Sequence, residues 1–219
     1  MLEGKMKYLI IFPLLFLITC NKKDKNPNED WNPGETWIDL RDDKSYNTVQ
    51  IGEQVWMAEN LNFQTDTGSW NYLHNDSLGN IYGKLYNWEN ACKSCPEGWH
   101  LPTDGEWKEL ELFLGMGQKE LDIIGPRGTN EGGKLKELGI SHWKFPNKDG
   151  TNEYGFKALP AGLCEGEIFV FLGTFAFFWT STEDSINRPW SRSLYYEEGD
   201  IQRYYDYDFI CFSVRCIKD

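Results

Sequence analysis

A chain of 219 residues is long enough for one sizeable core with appendages, and its net charge of −12 excludes a nucleic-acid partner, which requires a basic face. Aromatic residues reach 16%, with 10 Trp, 11 Tyr and 13 Phe beside 21 Gly, a mixture that favours short strands and tight turns over a helical bundle. Six cysteines take their meaning from the compartment, and the N-terminus supplies it.

Lys7 precedes an apolar run from Tyr8 to Ile18, interrupted by Pro13. A run of this length after a basic start reads as a secretory signal, too short for a mature membrane span. It ends in Leu17-Ile18-Thr19-Cys20, similar to a bacterial lipobox, in which the cysteine is lipidated and becomes the mature N-terminus. Residues 1–19 are therefore expected to be a lipoprotein signal peptide and Cys20 the lipidation site. Residues 20–35, rich in Asn, Lys, Asp and Pro, are expected to be a flexible tether. The expected location is the cell envelope, as an outer-membrane lipoprotein anchored in the bilayer by its lipid. The mixed charge of Lys22-Lys23-Asp24-Lys25 leaves the surface and periplasmic sides both open.

From Thr36 the pattern turns to strand. Trp37 to Leu40 is extended, and Thr48–Ile51 and Gln54–Met57 flank Gly52-Glu53 as a β-hairpin. Asn62 to Leu85 is polar and rich in turns, and Leu85 to Ala91 is compatible with a short helix leading into Cys92 and Cys95. The densest stretch follows. Pro96 and Gly98 set a turn, Trp99 to Leu101 is extended before Pro102, and Thr103 with Glu106 forms a capping box. Trp107, Leu110, Phe113 and Leu114 then recur at helical spacing until Gly115. Glu131 to Leu138 is a second helix candidate weakened by two glycines, and His142 to Glu153 is a loop. Phe156 to Leu163 begins a C-terminal sheet, with Phe175–Thr182 as its central strand. Trp190–Tyr196, Ile201–Tyr205 and Phe212–Cys216 alternate as antiparallel strands. Helices early and strands late give an α+β domain over residues 36–219.

Several of these segments form a recognisable series. Gly52-Glu-Gln-Val-Trp-Met-Ala-Glu-Asn-Leu61 and Leu85-Tyr-Asn-Trp88 precede Cys95-Pro-Glu-Gly-Trp-His-Leu-Pro-Thr-Asp104. Gly133-Lys-Leu-Lys136, Ala158-Leu-Pro-Ala-Gly162, Phe178-Trp-Thr-Ser-Thr-Glu183 and Ser213-Val-Arg-Cys-Ile-Lys-Asp219 follow. Together they resemble the Fibrobacter succinogenes major paralogous domain of exported proteins in Fibrobacteres and Bacteroidetes. The resemblance implies a C-type-lectin-like fold: two helices and a small twisted antiparallel sheet, with N- and C-terminal strands adjacent. It also implies a long-range disulfide from Cys95 to Cys216, with Cys92 as the alternative partner. Two of Cys92, Cys164 and Cys211 can then pair, leaving one free.

Cys92-x-x-Cys95 is half a zinc knuckle with no second half, so no metal or other cofactor is expected. The Glu-Pro-Asn, Gln-Pro-Asp and Trp-Asn-Asp triplets of calcium-dependent lectins do not occur, and no calcium site is expected. The function expected first is a non-catalytic binding module for a glycan or other extracellular polymer, because aromatic faces stack on sugar rings. Its candidate residues are Trp143, Phe145, Tyr195, Tyr204, Tyr205 and Tyr207. The alternatives are an adhesive or structural protein with a protein ligand, and an enzyme related to formylglycine-generating oxidases using Cys164 and Cys211.

Overall fold

The computed structural model describes residues 26–184 and 188–219. The expected signal peptide, the lipidation site Cys20 and the first residues of the tether lie outside the described residues. The remainder of the tether is not free chain. The Asn28 amide bonds both the N–H and the C=O of Ile38, and Trp31 packs edge-on to Trp99 at 5.8 Å.

The N-terminal strands are β1 (Thr36–Asp39), β2 (Lys44–Ile51) and β3 (Gln54–Met57), with β2 and β3 forming the expected hairpin in the register Ile51↔Gln54. Then come β4 (Ser69–Trp70), α1 (Asp76–Tyr82), β5 (Leu85–Tyr86), α2 (Trp88–Ser94) and β6 (Trp99–His100). Next are α3 (Asp104–Phe113), β7 (Gly125–Arg127) and α4 (Glu131–Leu135). The C-terminal part supplies β8 (Leu163–Glu165), β9 (Ile168–Val170), β10 (Phe175–Glu183) and β11 (Pro189–Tyr195). It ends with β12 (Ile201–Tyr205), β13 (Phe212–Ser213) and β14 (Ile217–Lys218).

The class is α+β, with more helix and a wider sheet than expected: four α-helices among the described residues instead of two. One sheet runs β1-β2-β3-β14-β6, which sets the last strand beside the N-terminal strands. The larger sheet has seven strands in the order β4-β5-β13-β10-β11-β12-β7, with β10 at its centre, and β8-β9 is a separate hairpin. Among the named strands pairing is antiparallel except between β10 and β13.

Local chemistry explains the elements. Thr103 and Glu106 cap α3 reciprocally, and α3 buries Trp107 and Leu110. The principal core joins them to Trp56, Phe156, Phe178, Leu194 and Ile201 beneath the large sheet. A second core gathers Trp37, Tyr46, Met57, Trp99, Leu101, Trp179 and Phe212. Three expectations change. Residues 76–82, expected as loop, form α1, because Asn75 caps the N–H groups of Ser77 and Leu78. The expected strand over Phe212–Cys216 is shortened to β13, with β14 opening only after Cys216, and Arg215 between them is buried. Of the expected Phe156 to Leu163 segment, Gly162 makes one isolated parallel bridge to Ala176 and Leu163 opens β8, so it adds no strand to the large sheet, whose central strand Phe175–Glu183 runs one residue beyond the expected Phe175–Thr182.

Candidate functional site

The six aromatic candidates do not form one site. Trp143 is buried (2% exposed), its indole N–H donating to the Ala158 carbonyl and its ring facing the Lys136 ammonium. It is a core residue, and the reading of it as a ligand contact is corrected. Phe145 is 79% exposed in the neighbouring loop. Tyr207 stacks on Phe209 at 5.3 Å in the loop between β12 and β13, both rings exposed. Tyr205 stands opposite Trp190 across the β11–β12 ladder, edge-on at 5.3 Å, with the Arg188 guanidinium 3.6 Å above it.

Tyr195 and Tyr204 share the other face of the large sheet. Directly paired residues project to the same side of a sheet. The pairs Phe175↔Tyr195, Phe177↔Ser193, Ser193↔Gln202 and Ser191↔Tyr204 therefore place Phe175, Phe177, Tyr195, Ser193, Gln202, Ser191 and Tyr204 on one side. On it the rings run as a row. Phe175 stacks on Tyr195 at 4.4 Å and on Phe177 at 5.2 Å, and Phe177 stacks on Phe212 at 4.9 Å. Phe171, 48% exposed in the turn after β9, meets Phe175 edge-on at 5.4 Å. Phe175, Phe177 and Tyr195 are half-buried.

Beside the row lie polar side chains, of which Ser191 and Ser193 are buried while Gln202, Tyr204 and Asp206 reach the surface. The Ser193 hydroxyl donates to the Gln202 side-chain oxygen (3.1 Å), and Ser191 donates to Asp206 Oδ2 (2.6 Å). The Gln202 amide nitrogen makes no hydrogen bond among the described residues, so it is available to donate. Burial raises the Asp206 carboxyl above its ordinary pKa, and the Ser191 bond and Arg188 counter only part of that. The Tyr195 and Tyr196 hydroxyls both donate to Glu197, at 2.7 Å each, and the bond to Glu197 holds the Tyr195 phenol protonated well above its usual range. Phe175 and Phe177 each stack against two neighbours, so the row offers apolar ring edges, with the exposed Phe171 ring at its end, beside amide and carboxylate groups that can bond sugar hydroxyls. Phe171, Phe175, Phe177, Ser193 and Gln202 were not among the sequence candidates. Their signal was the alternation Phe175, Phe177, Trp179 against Ala176 and Phe178, hidden because both sets are apolar.

Of the cysteines, Cys95 and Cys216 form a disulfide, with 5.9 Å between Cα atoms. Cys92 is an exposed thiol, while Cys164 and Cys211 are buried thiols that face each other across an isolated antiparallel bridge. Among the described residues, no group of three or more His, Cys, Asp or Glu side chains is placed to hold a metal ion, and no helix is long and apolar enough to cross a membrane.

The Fibrobacter succinogenes major domain matches residues 49–218, well over half of the chain. The chain belongs to this family. No curated protein and no solved structure matches it.

As a member of the Fibrobacter succinogenes major domain family, the chain buries several residues of its recognisable segments. Arg215 is fully buried over the Phe156 ring at 4.3 Å. It donates to the Met57 and Phe156 carbonyls and to Asn60 Oδ1, and its burial lowers its pKa to about 9. Lys136, also buried, donates to the carbonyls of Lys148, Tyr195 and Glu198 at 2.7–3.0 Å, and burial lowers its pKa to about 8. Gly132 and Gly133 let the backbone approach: a Cβ on either would lie 2.0 Å from the Asp200 carbonyl oxygen or 2.3 Å from that of Asp149. These family segments build the scaffold, and the accessible part of the ring row lies largely outside them.

Proposed function

We propose that this domain recognises a glycan or similar extracellular polymer, without catalysis, on the aromatic row Phe171, Phe175, Phe177 and Tyr195. The observation that carries the reading is that the row shares one sheet face with Gln202 and Tyr204, with Asp206 held beside them by Ser191. Residues from four consecutive segments converge there, and the sheet holds the rings at low ordering cost on binding. The reading includes a C-type-lectin-like origin for the scaffold, supported by β14 beside β3 and by the Cys95–Cys216 bridge. It also includes anchorage in the envelope through a lipid on Cys20, supported by the N-terminal sequence.

A protein ligand is the second reading. It draws on Leu138, Ile140 and Phe145, three strongly exposed apolar side chains within nine residues of one another.

Binding to a polysaccharide array separates the two. The wild-type domain is expected to retain on at least one glycan. Phe175→Ala and Tyr195→Ala should each weaken retention about tenfold, the loss of roughly 1.4 kcal/mol of contact, while Phe145→Ala leaves it unchanged. Loss of binding in Phe145→Ala with full binding in the other two would move the site to the loop.

A further inference from the structure

Two buried cysteines have a geometry that the proposed binding reading does not use. Cys164 lies in β8 and Cys211 directly before β13. Each donates its N–H to the other's carbonyl, at 3.1 and 2.8 Å, so they form a directly opposed, doubly hydrogen-bonded antiparallel pair. Such a pair sets its Cα atoms roughly 5.5 Å apart, inside the roughly 4.4–6.8 Å range that a disulfide spans. The side chains face each other within hydrogen-bonding reach, and the Cys211 contact and burial together push the Cys164 thiol far above its ordinary pKa. Both are enclosed by Tyr72, Tyr82, Leu85 and Ala161, with Phe169 and Leu172 packed alongside. Cys92, by contrast, is exposed on α2.

We propose that Cys164 and Cys211 form a second disulfide, closed during folding by a disulfide-donating oxidant of the glutathione or protein-disulfide class. The thiolate of one cysteine attacks a sulfur of the donor, breaking the donor's S–S bond and forming a mixed disulfide as one donor thiol leaves. The second cysteine, deprotonated, attacks the mixed disulfide and expels the other donor thiol. Cys164 and Cys211 together lose two electrons and two protons, and the donor disulfide is reduced to two thiols. The exchange requires an ionised, accessible sulfur. It therefore precedes the closing of the Tyr72–Tyr82 core, which afterwards keeps reductants out. The bridge ties the β8–β9 hairpin, whose following turn carries Phe171, to the strand that flanks β10. Cys92 is left as the free thiol of the domain.

The test is disulfide mapping of the full chain, refolded against an oxidised/reduced glutathione couple, denatured in alkylating reagent and digested without reduction. The expected result is a Cys164 peptide recovered cross-linked to a Cys211 peptide, with Cys92 alkylated. Recovery of Cys164 and Cys211 both alkylated, or of either joined to Cys92, would overturn the proposal. A Cys211→Ala variant treated alike should yield Cys164 alkylated. In oxidised protein the variant should melt roughly 8–16 °C lower, as expected for opening a loop of this size. An unchanged melting temperature would count against the bridge.

Discussion

At the scale of single residues, the buried charges between α3 and the large sheet set the energetics. Glu111 accepts from Arg127 at 2.7 and 2.8 Å and from Arg192 at 2.6 Å, and Glu111 and Arg192 are wholly buried. Asp104 accepts from Arg192 (2.8 Å) and Arg203 (2.8 and 2.9 Å), and pairs with Lys108 at 2.8 Å. Removing the Glu111 carboxylate leaves the buried Arg127 without its carboxylate partner and Arg192 with Asp104 alone. Glu111→Gln should therefore cost about 3–5 kcal/mol in urea unfolding. Burial works against the Asp104 carboxylate, yet Arg203, Arg192 and Lys108 hold it well below the usual carboxylate range. Its folded pKa lies under its unfolded one, so its contribution is complete above about pH 4 and fades as acid approaches the folded value. His100 has the opposite sign. Burial disfavours its cation, but Asp219 at 2.7 Å and Glu106 at 2.8 Å outweigh burial and raise the folded pKa. That stability is full below about pH 6.5 and is lost as pH rises through the folded value. The melting-temperature gap between wild type and His100→Gln should accordingly narrow from pH 6 to pH 8; a gap constant across that range would contradict the pairing.

At the scale of elements, sequence pattern read best where a cap or a turn is chemically compulsory. Thr103 with Glu106 and Gly52-Glu53 announce α3 and the β2–β3 hairpin, and both stand where expected. It failed where poor helix formers hid a local cap and where tertiary partners decide. Gly79 and Asn80 are poor helix formers, yet α1 closes because Asn75 satisfies two backbone donors. The shortened strand at the C-terminus follows from Arg215, whose buried guanidinium needs the Met57, Phe156 and Asn60 acceptors. The site was half legible. Tyr195 and Tyr204 were readable as aromatic strand residues, whereas Trp143 in a loop carries no periodicity to show that it faces inward. α4 supplies a prediction at this scale. With Asp149's carbonyl 2.3 Å from an added Cβ, Gly133→Ala should lose about 1–3 kcal/mol of stability by overpacking. An unaltered urea midpoint would remove the close-approach explanation of the Gly-Gly pair.

At the scale of the whole molecule, the fold is closed by joining its ends. β14 lies between β3 and β6, and the Cys95–Cys216 bridge joins residues 121 apart in the sequence. Constraining a loop of that length contributes about 5 kcal/mol in the chain-entropy account, so Cys216→Ala should melt roughly 10–20 °C lower. The family segments lie in this closed frame, and the aromatic row stands on the β10–β11 side of it. That separation is the central proposal: a rigid frame that carries a row proposed for recognition. Its most direct test is nuclear magnetic resonance mapping of side-chain signals while an oligosaccharide retained on the array is added. The account predicts shifts concentrated on the rings of Phe171, Phe175, Phe177 and Tyr195 and on the Gln202 amide. Shifts confined to Phe145, or to Tyr207 and Phe209, with the row unmoved, would contradict it.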